Sequence, residues 1–66
     1  MKNIRYFTPI SEEERIMTSE EVASFLKVGV AAVRRWTREN KIKGRRLGNT
    51  GDWRYFKKDV LDFLMR

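Results

Sequence analysis

Between Met17 and Arg66 the apolar positions hold a helical spacing, lose it and regain it, and this alternation sets out the elements. Val22, Phe25 and Leu26 fall at i, i+3 and i+4, one face of a short helix ending near Lys27. Thr18 as N-cap and Glu21 three residues later form a capping box for that helix, and Glu20 and Glu21 suit its dipole. Val28-Gly29 makes a tight connection. Val30, Val33 and Trp36 then recur every three residues along a second helix from about Val30 to Glu39. Asn40 stands where a left-handed C-terminal cap is wanted. After Lys41 the period changes. Ile42 to Leu47 and Trp53 to Phe56 read as strands around Gly48-Asn49-Thr50-Gly51-Asp52, a stretch rich in turn formers. Val60, Leu61, Phe63 and Leu64 mark a closing helix from Lys58 to Met65.

Two short helices joined by a tight turn make a helix-turn-helix. With the hairpin and the last helix, the expected fold is mainly α with a small β-hairpin: a winged helix-turn-helix in the order helix, helix, hairpin wing, helix. Residues 17–66 form that domain. Residues 1–16 hold Pro9, the acidic run Glu12-Glu13-Glu14 and scattered apolar residues without a period. They read as a mobile leader, in preference to a DNA-contacting arm using Lys2 and Arg5, because basic and acidic groups cancel there.

Composition narrows the function. Sixty-six residues make one domain with one small core. Without Cys or His, disulfides, cysteine-based zinc sites and the commonest general base are excluded. No run approaches the roughly 18 apolar residues of a membrane span, and no secretory pattern opens the chain, so a soluble, reducing, intracellular setting is expected. The net charge is +6, and the stretch from Arg34 to Arg46 alone carries seven Lys/Arg against one Glu. A cationic cluster of this kind around an aromatic is the footprint of a surface that meets a phosphate backbone.

The second helix concentrates the candidate chemistry. Arg34, Arg35 and Arg38 fan away from Val33 and Trp36, where guanidinium groups reach the walls and floor of a major groove. Ala31 and Ala32 leave room for close approach and for thymine methyl groups. An ordinary solvated basic face is the plainer alternative, and the preceding capped helix favours the DNA reading. Trp36 is expected in the core. On the hairpin, Lys43, Arg45, Arg46 and Arg54, with Asn49 and Thr50 at the tip, form a basic ribbon suited to a phosphate strand or a minor groove. A blunted edge that resists aggregation explains some of these charges equally well. Trp53 covers the core rather than wedging into DNA. Thr18, Ser19, Lys57 and Lys58 are candidate phosphate contacts at helix starts. The 48–51 loop lacks the continuation of a nucleotide-binding loop. No carboxylate pair resembles acid/base machinery, so neither an enzyme nor a metal, cofactor or small-molecule site is expected.

The residues Met17-Thr18-Ser19-Glu20-Glu21-Val22-Ala23, Phe25-Leu26-Lys27-Val28, Val33-Arg34-Arg35-Trp36, Lys41-Ile42, Arg46-Leu47-Gly48, Trp53-Arg54-Tyr55 and Asp59-Val60-Leu61-Asp62-Phe63-Leu64 carry a resemblance to excisionase-type, MerR-like winged helix domains. It covers about residues 17 to 66. The resemblance implies that Arg34 and Arg35 touch DNA from the recognition helix and that Arg46 and Arg54 belong to the wing. Gly29 departs from the family's usual Ser N-cap of the second helix, and the loop from Gly48 to Asp52 is longer than common.

A chain of this length looks most like a recombination directionality factor of a mobile element. The implied protein is bacterial or phage-encoded, cytoplasmic and nucleoid-associated. It binds and bends double-stranded DNA beside an attachment site, with further copies of itself, and directs a tyrosine integrase toward excision. A small transcriptional regulator of such an element is the nearer alternative. A protein-interaction adaptor with a basic face is the more distant one. Full MerR regulators continue into a dimerisation helix and effector domain, so a chain ending at Arg66 is not expected to be a sensor.

Overall fold

The computed structural model describes residues 15–49 and 51–66. The elements run β1 (Ile16–Thr18), α1 (Ser19–Leu26), α2 (Val30–Arg38), β2 (Arg45–Arg46), β3 (Trp53–Phe56) and α3 (Lys57–Met65). Apart from Arg15 and Ile16, the expected leader lies outside the described residues, as does Thr50. The three helices and small antiparallel sheet are those of a winged helix-turn-helix. Among the described residues no helix is long and apolar enough to cross a membrane.

Both helix ends read from sequence are built as their chemistry requires. The Thr18 side chain accepts the Glu21 N–H at 3.1 Å, and Glu21 Oε1 accepts the Thr18 N–H at 2.8 Å, so the capping box closes in both directions. Lys27 ends α1 in the left-handed conformation, φ 63°. Asn40 takes the same conformation, φ 60°, beyond α2. The Lys41 N–H then donates back to the Trp36 carbonyl at 2.8 Å. Gly29 caps α2 without a side-chain hydrogen bond.

The sheet differs from a plain hairpin. Its order is β1-β3-β2, and Ile16, Met17 and Thr18 pair with Phe56, Tyr55 and Arg54. A three-residue strand is too short to display alternation in a sequence, and Thr18 serves both as its last residue and as the α1 cap. The expected first strand of the wing, Ile42 to Leu47, shrinks to Arg45–Arg46. Ile42 is buried instead, and its N–H points back to the Trp36 carbonyl at 3.4 Å. The chain therefore stays folded against the end of α2 before it enters the wing.

The core comprises Met17, Val22, Ala23, Val33, Ile42, Tyr55 and Val60, with Leu26, Val30, Trp36, Trp53 and Phe63 packed around it. Removing this apolar surface from water is the main stabilising contribution, at about 25 cal/mol per Å2. Among the described residues two polar ones are buried as well, Ser19 and Thr37. Both are satisfied through Tyr55. Thr37 Oγ1 donates to the Val33 carbonyl at 2.8 Å, so the Tyr55 hydroxyl donates to Thr37 Oγ1 at 2.6 Å and accepts from Ser19 Oγ at 3.4 Å. One phenol thus joins α1, α2 and β3.

Candidate nucleic-acid interface

Helical spacing divides α2 cleanly. Val33 and Thr37 are buried, with Val30 and Trp36 half-buried beside them. Ala31, Arg34, Arg35 and Arg38, at i, i+3, i+4 and i+7, are all exposed on the other side. Ala32 lies between these faces and is half-buried. Trp36 packs as expected: its ring stands 5.0 Å from that of Phe63 with a 40° tilt. Thr37 was not recognisable from the apolar pattern, because a hydroxyl residue breaks a stripe that its methyl group and back-donated hydrogen bond in fact complete.

The three arginines of this face are not equivalent. Arg34 Nη2 lies 3.2 Å from Glu20 Oε2 on α1. Among the described residues neither Arg35 nor Arg38 has a carboxylate partner. Arg34 and Glu20 share a polar depression of about 160 Å3 with Ser19, Gly51, Asp52, Trp53 and Arg54. The start of α1, the cationic face of α2 and the turn-proximal end of the wing therefore meet at one side of the molecule.

Within the wing, strand register sorts the cations. Tyr55 faces the core, so Trp53 shares its face and Arg54 and Phe56 take the other. Arg46 pairs with Trp53, and its guanidinium lies 5.2 Å from the centre of the Trp53 ring. Arg45 pairs with Arg54 on the outer face and lies 5.6 Å from the centre of the Phe56 ring. Such contacts hold an arginine stem in place while its N–H edge still meets an anion. The outer face also carries an open apolar trough lined by Ile16, Leu47 and Phe56, with Ile16 57% and Leu47 48% exposed.

The turn between the strands closes through the Leu47 N–H, which donates to the Asp52 carbonyl at 2.8 Å. Gly48 and Gly51 have φ of +58° and +87°, which glycine adopts at least cost. Asn49 is exposed at this tip, and Lys43 is exposed where the chain enters the wing.

The candidate phosphate contacts at helix starts fare differently. Ser19 is corrected by the geometry: its side chain is buried and committed to Tyr55, so its hydroxyl is not presented to a ligand. Thr18 Oγ1 is engaged as an acceptor in the α1 cap. Lys57 and Lys58 each lie over an aromatic ring, Phe25 at 5.0 Å and Phe56 at 6.0 Å. Those contacts account for two cations at a helix start without invoking phosphate. Glu20, read from sequence only as an acid that suits the α1 dipole, meets Arg34 across the two helices, and nothing in the spacing from 20 to 34 reveals the contact.

Among the described residues no group of three or more His, Cys, Asp or Glu is arranged to hold a metal ion. Two short helices crossing at a tight turn, with a cationic face on the second and a basic hairpin beside it, define the helix-turn-helix class of DNA-binding domain. Residues 16–66 match the family model described as a helix-turn-helix domain, and the chain belongs to that family, a DNA-binding domain found in excisionase-like proteins. No curated protein and no solved structure matches the chain.

Proposed function

We propose that this chain binds double-stranded DNA sequence-specifically and acts as an excisionase: it binds and bends DNA near an attachment site and directs a tyrosine integrase toward excision of a mobile element. The observation that carries the DNA interface is the shared depression in which Arg34 of α2 meets Gly51 to Arg54 of the wing. With α2 in a major groove, Arg34 and Ala31 face base edges. Arg35, Arg38 and the wing cations, Lys43, Arg45, Arg46 and Arg54, meet the flanking phosphates. A footprint this small gains affinity from neighbouring copies on the same duplex, and their combined contacts favour curvature.

Binding to a duplex selected from a random pool, measured across a salt series, tests the interface. If about five of these six side chains neutralise phosphates, log K falls against log salt with a slope of about −4.5. A flat salt response, or equal affinity for selected and scrambled duplexes, overturns sequence-specific binding. The finer role is read from excision by a tyrosine integrase on attachment-site DNA. Added chain raises the excised product if it is an excisionase. Intact site-specific binding with no change in product, accompanied by altered transcription from a promoter holding the site, makes it a regulator instead.

A further inference from the structure

We infer that Glu20 is a positioning residue for sequence readout, holding Arg34 in a pose that suits a guanine edge and disfavours an arbitrary phosphate. The inference rests on the DNA-binding reading above and goes beyond it, because it assigns the discrimination to a residue on the first helix.

Glu20 has no duty in the α1 cap, since Glu21 makes both bonds of the capping box with Thr18. The Glu20–Arg34 pair is solvent-facing, with the two side chains 68% and 50% exposed, and exposed ion pairs contribute little to stability. An anion at this position is moreover unfavourable for DNA affinity, because it borders the depression where α2 and the wing meet and repels any phosphate there. The α1 dipole favours an acid in this turn, which accounts for the charge of Glu20 but not for its contact with Arg34; orientation of the guanidinium accounts for that contact.

Glu20 Oε2 engages only Nη2 of Arg34. A guanidinium carries five N–H groups in a planar fork, so an edge remains for the paired O6 and N7 acceptors of guanine. A phosphate oxygen meeting Arg34 has to compete with the carboxylate, whereas guanine is engaged with the ion pair kept. Arg35 and Arg38, without a carboxylate partner among the described residues, serve as adaptable phosphate contacts. Of the three arginines, Arg34 alone has a carboxylate among the described residues to bias its direction, as a base reader requires.

The test compares a duplex selected by the intact chain from a random pool with a scrambled duplex of equal length at fixed salt. The proteins are the wild type, Glu20→Gln, Arg34→Ala and the double variant, each checked for cooperative melting. Glu20→Gln is isosteric at an exposed position, so the fold is retained. The expected result is tighter binding of Glu20→Gln to the scrambled duplex and a fall of about five- to tenfold in discrimination, confined to one guanine position. In the Arg34→Ala background the same change leaves discrimination unaltered. Equal gains on both duplexes, or a loss of discrimination that persists without Arg34, overturns the inference. Failure of the wild type to bind either duplex would remove the DNA reading itself, and is distinguished from specific binding without coupling between the two residues.

Discussion

The Tyr55 hydroxyl lies 2.6 Å from Thr37 Oγ1, which ties the long strand of the wing directly to the helix that carries the arginines. Tyr55 is 1% exposed and also receives the Ser19 hydroxyl, so its phenol fixes three elements with one group. Removing that oxygen leaves Ser19 with a buried donor lacking its partner. Tyr55→Phe is expected to destabilise the domain by about 1–2 kcal/mol, since an unsatisfied buried group costs more than a hydrogen bond gains. In thermal melting this is a fall of about 5–15 °C for a domain of this size. An unchanged midpoint would show that the hydroxyl chain is ornamental.

Gly44 makes the close approach on the same side of Tyr55. A Cβ there would stand 2.9 Å from Tyr55 Cε2, 3.0 Å from Trp53 Cε3 and 3.3 Å from Thr37 Cγ2. All three belong to packed side chains, so none can yield cheaply. Gly44→Ala is expected to cost about 1–3 kcal/mol through overpacking. Elsewhere the same substitution stabilises by about 0.4–1 kcal/mol through the unfolded chain, so a rise in denaturant midpoint would contradict the packing.

Gly29 offers the opposite case. Its backbone is extended, φ −75° and ψ 153°, and a Cβ there meets nothing within 4 Å. Gly29→Ser supplies the missing α2 cap and restricts the unfolded chain, an expected gain of about 0.5–1 kcal/mol. Gly29→Asp gives a similar gain with added dipole complementarity. It also places a negative charge at the start of the DNA-facing helix. Urea denaturation and DNA titration should therefore part company for Asp, with higher stability and weaker binding, and agree for Ser.

What the sequence disclosed, and what it withheld, follows from the range over which each signal acts. The α1 capping box and the left-handed Asn40 were legible because each depends on residues within one or two turns. The α2 arginine face was legible because period alone separates it from Val33. The β1 strand was not, since three residues give no period and its partner, β3, lies nearly forty positions away. Ser19 read as a candidate phosphate contact and Thr37 carried no signal, because the partner both hydroxyls meet is a phenol supplied from the wing. Ile42 fitted a strand by composition, and only the return of the chain onto α2 shows why it does not extend one. The Glu20–Arg34 contact spans two helices and depends on their crossing, which no pattern of residue types encodes.

Arg34 and Arg35 are neighbours in sequence with different expected signatures on DNA. Arg34→Ala should cost about 1–3 kcal/mol on the selected duplex and relax preference at one base position. Arg35→Ala should weaken selected and scrambled duplexes alike and reduce the salt slope by about one. Fluorescence anisotropy at several salt concentrations separates them. Identical behaviour of the two variants would mean that α2 does not enter the groove in the orientation drawn from its exposed face.

Trp36 decides whether the aromatic beside these arginines belongs to the core or to the ligand. Its ring is half-buried and stacks at a tilt on Phe63, so it seals α2 against α3. Truncating a buried aromatic costs about 3–5 kcal/mol, and partial exposure places this one toward the lower end. A domain spanning residues 16–66 has roughly 3–8 kcal/mol in total. Trp36→Ala should therefore remove about 3 kcal/mol of this and lower the melting midpoint steeply, with DNA binding lost only as the domain melts. Trp36→Phe keeps an aromatic contact with Phe63 and should retain both cooperative melting and binding. If Trp36→Ala instead melts cooperatively near the wild-type midpoint while binding is lost, the indole acts on the nucleic acid, and the core of α2 rests on Val30, Val33 and Thr37.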